Sequence, residues 1–242
     1  MYGSNVPTNP MFGDNVDIES LVPLDKSIDS IKMKTFLRKV YLTINYQLLI
    51  TIGMCYFAMK NENIRNYVTT HNDPLIIGTV FSFVFLFMLF CYQKVYPINF
   101  FILTGFTISI SYTVAVTCAL YVETGNEDIV IKSFLITILT FISLTIYTLQ
   151  SKYNFNFLQE IVFGSINVLI FWGFINWIVG SDGGIGYSLL GIFTFVCAII
   201  FDTHRLKEEY QDDDYILAAC NLYLDVINLF LYILDFLKKI NN

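Results

Sequence analysis

Between Ile98 and Val122 the chain runs 25 residues without one Asp, Glu, Lys or Arg. In water such a run has no face to show the solvent; as a helix it spans the roughly 30 Å of a bilayer's hydrocarbon core with length to spare. The rest of the chain follows the same pattern. Of its 242 residues 55% are hydrophobic and 14% charged, with a mean hydropathy of +0.60. A soluble domain carries about a quarter charged residues. The chain therefore reads as an all-α, polytopic membrane protein whose first partner is the lipid bilayer.

Seven apolar stretches stand out: Tyr41–Met59, Leu75–Tyr92, Ile98–Val122, Ile129–Leu149, Leu158–Val179, Ile185–Phe201 and Tyr215–Leu237. The connections are short ("QKVYP", "ETGNED", "GSDGG"), so neighbours run antiparallel in one bundle. Three parts are expected: an N-terminal tail with a basic juxtamembrane segment over 1–39, a transmembrane domain over 40–239 and a short tail over 240–242. The first 27 residues hold no apolar core of a signal peptide, so insertion is expected to depend on the first span. In "SIDSIKMKTFLRKVY", Ile31, Met33, Phe36, Leu37 and Val40 fall near one helical face, the pattern of an anchor among anionic headgroups.

Lys and Arg set orientation. A cytosolic N-terminus places nine of them on the cytosolic side and five on or near the other, which favours it. Lys238 and Lys239 dissent, and would suit six spans plus a last segment that re-enters. All five cysteines lie in apolar runs without metal-ligand spacing, so neither a disulfide framework nor a zinc site is expected. No cofactor is expected, and the net charge of −6 lies mostly in tails and loops, offering nothing to nucleic acid.

Most acids fall in loops or tails. Glu160 and Asp235 sit near helix ends, where water would explain them. Asp225 does not fit that pattern: "YILAACNLYLDVINLFLYILDF" is apolar on both sides of it. On the gentlest scale a carboxylate at that depth costs about 2.5–3.5 kcal/mol, and such residues mark function by default. Asp202, in "CAIIFDTHRLKEE", ends the sixth stretch on the side where the seventh begins. The two carboxyls are thus expected to meet on adjacent antiparallel helices, sharing one proton. His204 reads as an interfacial residue. Asn45, Gln47, Asn167 and Asn176 read as interhelical glue, and Ser109, Thr113 and Thr117 as a packing stripe.

The segments "IIFDTHRL" and "YILAACNLYLDVINLFLYILDFL" resemble the C-terminal signature of the transmembrane Bax inhibitor motif family. "IKMKTFLRKVY", "KVYPINFFILTGFT" and "LTIYTLQSKYNF" are similar to its Golgi anti-apoptotic protein branch. The likeness spans roughly Ile31 to Lys239. It implies seven helices around a central last one, in a Golgi or endoplasmic reticulum membrane. It also implies a Ca²⁺ leak from the store that restrains apoptosis, with Asp202 and Asp225 as a pH-responsive gate. In that branch, acids before the last helix are linked to conduction, a place that Asp213 occupies here. Relatives of bacterial type pair the acids with an Arg on the second helix; here "CYQKVYP" offers Lys94 as the nearest base.

The leading expectation is therefore a passive Ca²⁺ path with Ca²⁺ held transiently at Asp202 and Asp225, and H⁺ as the modulator. Two others stand beside it: a proton-coupled Ca²⁺ exchanger, and an anti-apoptotic protein that acts through cell-death regulators or other membrane channels without conducting. No enzyme is expected. An intramembrane aspartyl protease also needs two acids, but its Tyr-Asp and Gly-x-Gly-Asp settings are not those of "FD" and "YLD".

Overall fold

A helix that is apolar on every side must be buried in protein or in lipid, and this chain builds seven of them. The computed structural model describes residues 18–71, 73–208 and 214–241. These form α1 (Ile18–Lys60), α2 (Glu62–Thr70), α3 (Asp73–Tyr92), α4 (Ile98–Glu123), α5 (Glu127–Gln150), α6 (Leu158–Val179), α7 (Gly184–Glu208) and α8 (Tyr215–Asn241), with no strand among the described residues. All but α2 are long and apolar enough to cross a membrane, α1 doing so from Ser30 onward.

The last helix is the core. Of the most apolar part of α8, 61% is buried inside the protein, against 17% for α3 and 11% for α6. It packs against α1, α4, α5 and α7, while α3 lies against α4 and α6 against α7. Cys220, Leu222, Tyr223 and Leu229 of α8 are wholly enclosed. The outer helices turn Phe83, Phe87, Phe163, Phe171 and Trp177 outward, an apolar girdle that only lipid solvates well. Running unbroken for 27 residues, about 40 Å of helix, α8 is a seventh span and not a segment that turns back.

Two features depart from expectation. The basic flank is not a separate anchor, because α1 continues through it without a break. Its apolar face lies against protein: Phe36 and Val40 are buried with Ile199, Leu206, Ala218 and Leu222, while Ile31 alone faces out. The other is α2, a short amphipathic helix that carries no long apolar run. Asn61 caps it, accepting from the Asn63 and Ile64 amides, and Val68 packs it against α4. Arg65 ties it down, donating to Glu123 at 3.0 Å and to the Met59 carbonyl at 2.8 Å.

The polar residues inside the bundle divide by where their partners lie. Gln47 crosses from α1 to α4, its amide donating to Thr107 Oγ1 at 3.0 Å. Asn167 instead donates to its own helix, at the Phe163 carbonyl. Ser109, Thr113 and Thr117 each donate to the carbonyl four residues back, so the stripe is satisfied within α4, and Thr113 also borders a cavity between α3 and α4.

Candidate functional site: a carboxyl pair between the last two helices

Because α7 and α8 run antiparallel and in contact, residues near the end of one face residues early in the other. Asp202 lies six residues before the end of α7, and Asp225 ten residues into α8. Antiparallel packing brings the two carboxyl groups within electrostatic range of one another. Two carboxyl oxygens can hydrogen-bond only with a proton on one of them, so this placement suits a shared proton. Asp225 Oδ2 is shut off from solvent and has no hydrogen-bond partner. The Arg205 guanidinium, one helical turn beyond Asp202 on α7, is an opposing charge within range of it.

Several features place the acids. Thr203, His204 and Leu206 are buried beside Asp202, and Leu222, Tyr223 and Val226 beside Asp225. His204 lies edge-on to the Phe155 ring at 5.6 Å, with Nε2 3.2 Å from Glu208 Oε2. No cluster of three or more metal-ligating His, Cys, Asp or Glu side chains occurs among the described residues. Lys94 points elsewhere, its Nζ 3.9 Å from Asp214 Oδ1 where the chain enters α8. Asp213 lies outside the described residues.

Three groups escape a sequence reading. Arg205 is one; its signal is the three-residue spacing from Asp202, which stacks the two on a helix. The second is a clasp on α8. Thr51 Oγ1 donates to the Gln47 carbonyl at 2.9 Å, which uses its only proton; Ser111 at 2.8 Å and Tyr223 at 2.9 Å therefore both donate to Thr51. The third is Asp235, which is not simply solvated at a helix end: it accepts from Lys239 at 2.7 Å and Ser188 at 2.5 Å. Lys238 and Lys239 are likewise engaged, Lys238 over the Tyr121 ring at 4.8 Å.

Fold and site together define a multi-pass helical membrane protein with two carboxyl groups brought together between its last two helices. Residues 33–242 match the family model described as "Inhibitor of apoptosis-promoting Bax1", and the chain belongs to this Bax inhibitor family. It is 33% identical to Protein LIFEGUARD 3 of Arabidopsis thaliana over 85% of this chain and 84% of that one. It is 34% identical to the Golgi anti-apoptotic protein of vaccinia virus (strain Lister), over 85% of this chain and 86% of the viral one. With Protein lifeguard 4 of Mus musculus it shares 32% over 85% of each.

Proposed function

We propose that this protein is a Ca²⁺ leak pathway of an intracellular membrane, gated by protonation of Asp202 and Asp225, that lowers store Ca²⁺ and so restrains apoptosis. The observation that supports the reading is a pair of carboxyls within electrostatic range on facing helices, with Asp225 Oδ2 shut off from solvent. With one proton between them the carboxyls hold α7 to α8. Raising the pH withdraws that proton and leaves two like charges on facing helices, which repel. The parted carboxylates are hard oxygen ligands that attract Ca²⁺. They supply at most four of the roughly six to eight oxygens Ca²⁺ takes, so the ion keeps water and passes on. The Arg205 charge beside Asp202 holds down affinity in the same way. A Golgi membrane fits the viral relative's name. A cytosolic N-terminus fits the count of Lys and Arg.

The test is Ca²⁺ release from vesicles reconstituted with the native chain, Asp202→Asn or Asp225→Asn, from mildly acidic to mildly alkaline pH. Flux through the native chain should respond to pH, and each variant should lose the response. An unaltered flux and pH response in Asp225→Asn would refute the gate.

A second reading takes its support from the same pair, which with one shared proton would clamp α7 to α8. There the pair is structural, and the family's anti-death role runs through partner proteins. That reading expects Asp225→Asn to lower abundance or folding, while folded variants suppress cell death without carrying Ca²⁺. A proton-coupled exchanger would differ from both by moving H⁺ against Ca²⁺ in the same vesicles.

A further inference from the structure

Ten residues beyond Asp225, about 15 Å along α8, a second charged node is built to different rules. Lys239 Nζ is ringed by oxygen: Asp235 Oδ2 at 2.7 Å, the Asp182 carbonyl at 2.9 Å, and the Gly184 carbonyl and Ser188 Oγ at 3.2 Å. The Lys239 side chain is only 10% exposed, unlike the lysines of a solvated helix end. Four acceptors surround a group with three protons, so the cage holds more oxygen than an ammonium needs. Its make-up of one carboxylate, two carbonyls and a hydroxyl is the kind of oxygen set that a hard divalent cation takes. A second carboxylate stands beside it, where Asp182 Oδ1 accepts from the Gly184 amide at 3.0 Å.

Three elements make the cage. The α6–α7 turn gives the Asp182 carbonyl, the start of α7 gives the Gly184 carbonyl and Ser188, and the end of α8 gives Asp235 and its occupant. Lys239 reaches Asp235 because four residues separate them on one helical face. Ser188 donates its own proton to Asp235, leaving its oxygen free to accept.

We propose that these oxygens form a cation site that the chain plugs with its own ammonium, so that Lys239 and a divalent cation such as Ca²⁺ compete for one place. With Lys239 seated, its charge cancels that of Asp235; with Lys239 withdrawn, the cage is left with net negative charge. Lys238, held over Tyr121, is the remaining cation nearby and limits affinity without entering the cage. The site is independent of the Asp202–Asp225 gate and is read by binding, not flux.

Terbium(III) serves as the probe, since Tyr121 and Tyr232 lie near enough to Asp235 to sensitise it. The experiment is tyrosine-sensitised terbium luminescence of the full chain in detergent, with Ca²⁺ as competitor. Lys239→Met should bind terbium at least about tenfold more tightly than the native chain, and Asp235→Asn added to it should cancel the gain. Equal binding by Lys239→Met and native chain overturns the proposal, as does a gain that survives Asp235→Asn. Should Lys239→Met fail to yield a monodisperse protein, a chain with Asp202→Asn in the background decides: its weak, Ca²⁺-competed signal must be lost when Asp235→Asn is added, and persistence there overturns the proposal.

Discussion

Gly191 shows how little room a single position leaves between α7 and α8. A methyl group built on it meets the Tyr232 ring directly. That ring lies against α7, stacked on Phe195 at 5.7 Å and edge-on to Tyr187 at 5.7 Å, with the two hydroxyls 3.3 Å apart. Positions 187, 191 and 195 share one helical face, so the glycine is the gap into which Tyr232 settles. Gly191→Ala should therefore cost about 1–3 kcal/mol by overpacking. Thermal unfolding in detergent measures it, and a Tyr232→Leu background should recover part of the loss, because neighbouring substitutions are not additive. An undiminished unfolding temperature in Gly191→Ala would mean that the ring moves aside freely. At the same scale Asp225 was legible, because an ionisable group amid apolar residues has few structural excuses. Its approach to Asp202 follows from the antiparallel order of α7 and α8. Arg205 and the occupant of the Asp235 cage were not legible: their partners are chosen by side-chain reach, which no run of residues spells out.

Between elements, the clasp formed by α1, α4 and α8 deserves weight because lipid supplies no hydrophobic drive to press helices together. Thr51 is its hinge, accepting from Ser111 and Tyr223 while donating within α1. Removing one donor leaves every other bond intact. Tyr223→Phe should thus destabilise by only about 0.5–1.5 kcal/mol. Thr51→Val should cost more, since it strands two buried hydroxyls at once. Unfolding of both variants under one detergent condition checks the order; a costlier Tyr223→Phe would show that Tyr223 bonds something other than Thr51. The seven spans were plain in the sequence, as length and apolarity suffice to mark them. The pairing of Gln47 with Thr107, sixty residues away, was not. Nor was α2, nine residues whose single apolar face is too short to stand out. The basic flank misled for a related reason: an apolar stripe fits a membrane surface and a protein groove equally well, and here α7 and α8 occupy it.

At the scale of the whole molecule, an odd number of spans puts the two termini on opposite sides of the membrane. The carboxyl pair and the start of α8 share the side on which α1 begins, because Phe36 and Val40 pack with Leu206 and Ala218. The other end carries the ion pairs Lys60–Glu127, Arg65–Glu123 and Asp235–Lys239. Lys and Arg count for the positive-inside rule whatever their partners, and they are more numerous on the first side. Orientation should therefore follow the α1 side into the cytosol, leaving the C-terminus in the lumen. An N-glycosylation acceptor on a flexible C-terminal extension should be modified in cells, and the same acceptor at the N-terminus should not. Modification at the N-terminus alone would invert the molecule and put the carboxyl pair on the lumenal side. Modification at neither end would place both termini in the cytosol and require α8 to turn back. That outcome conflicts with an unbroken helix of 27 residues whose last turn is fastened to the start of α7 through Lys239 and Asp235.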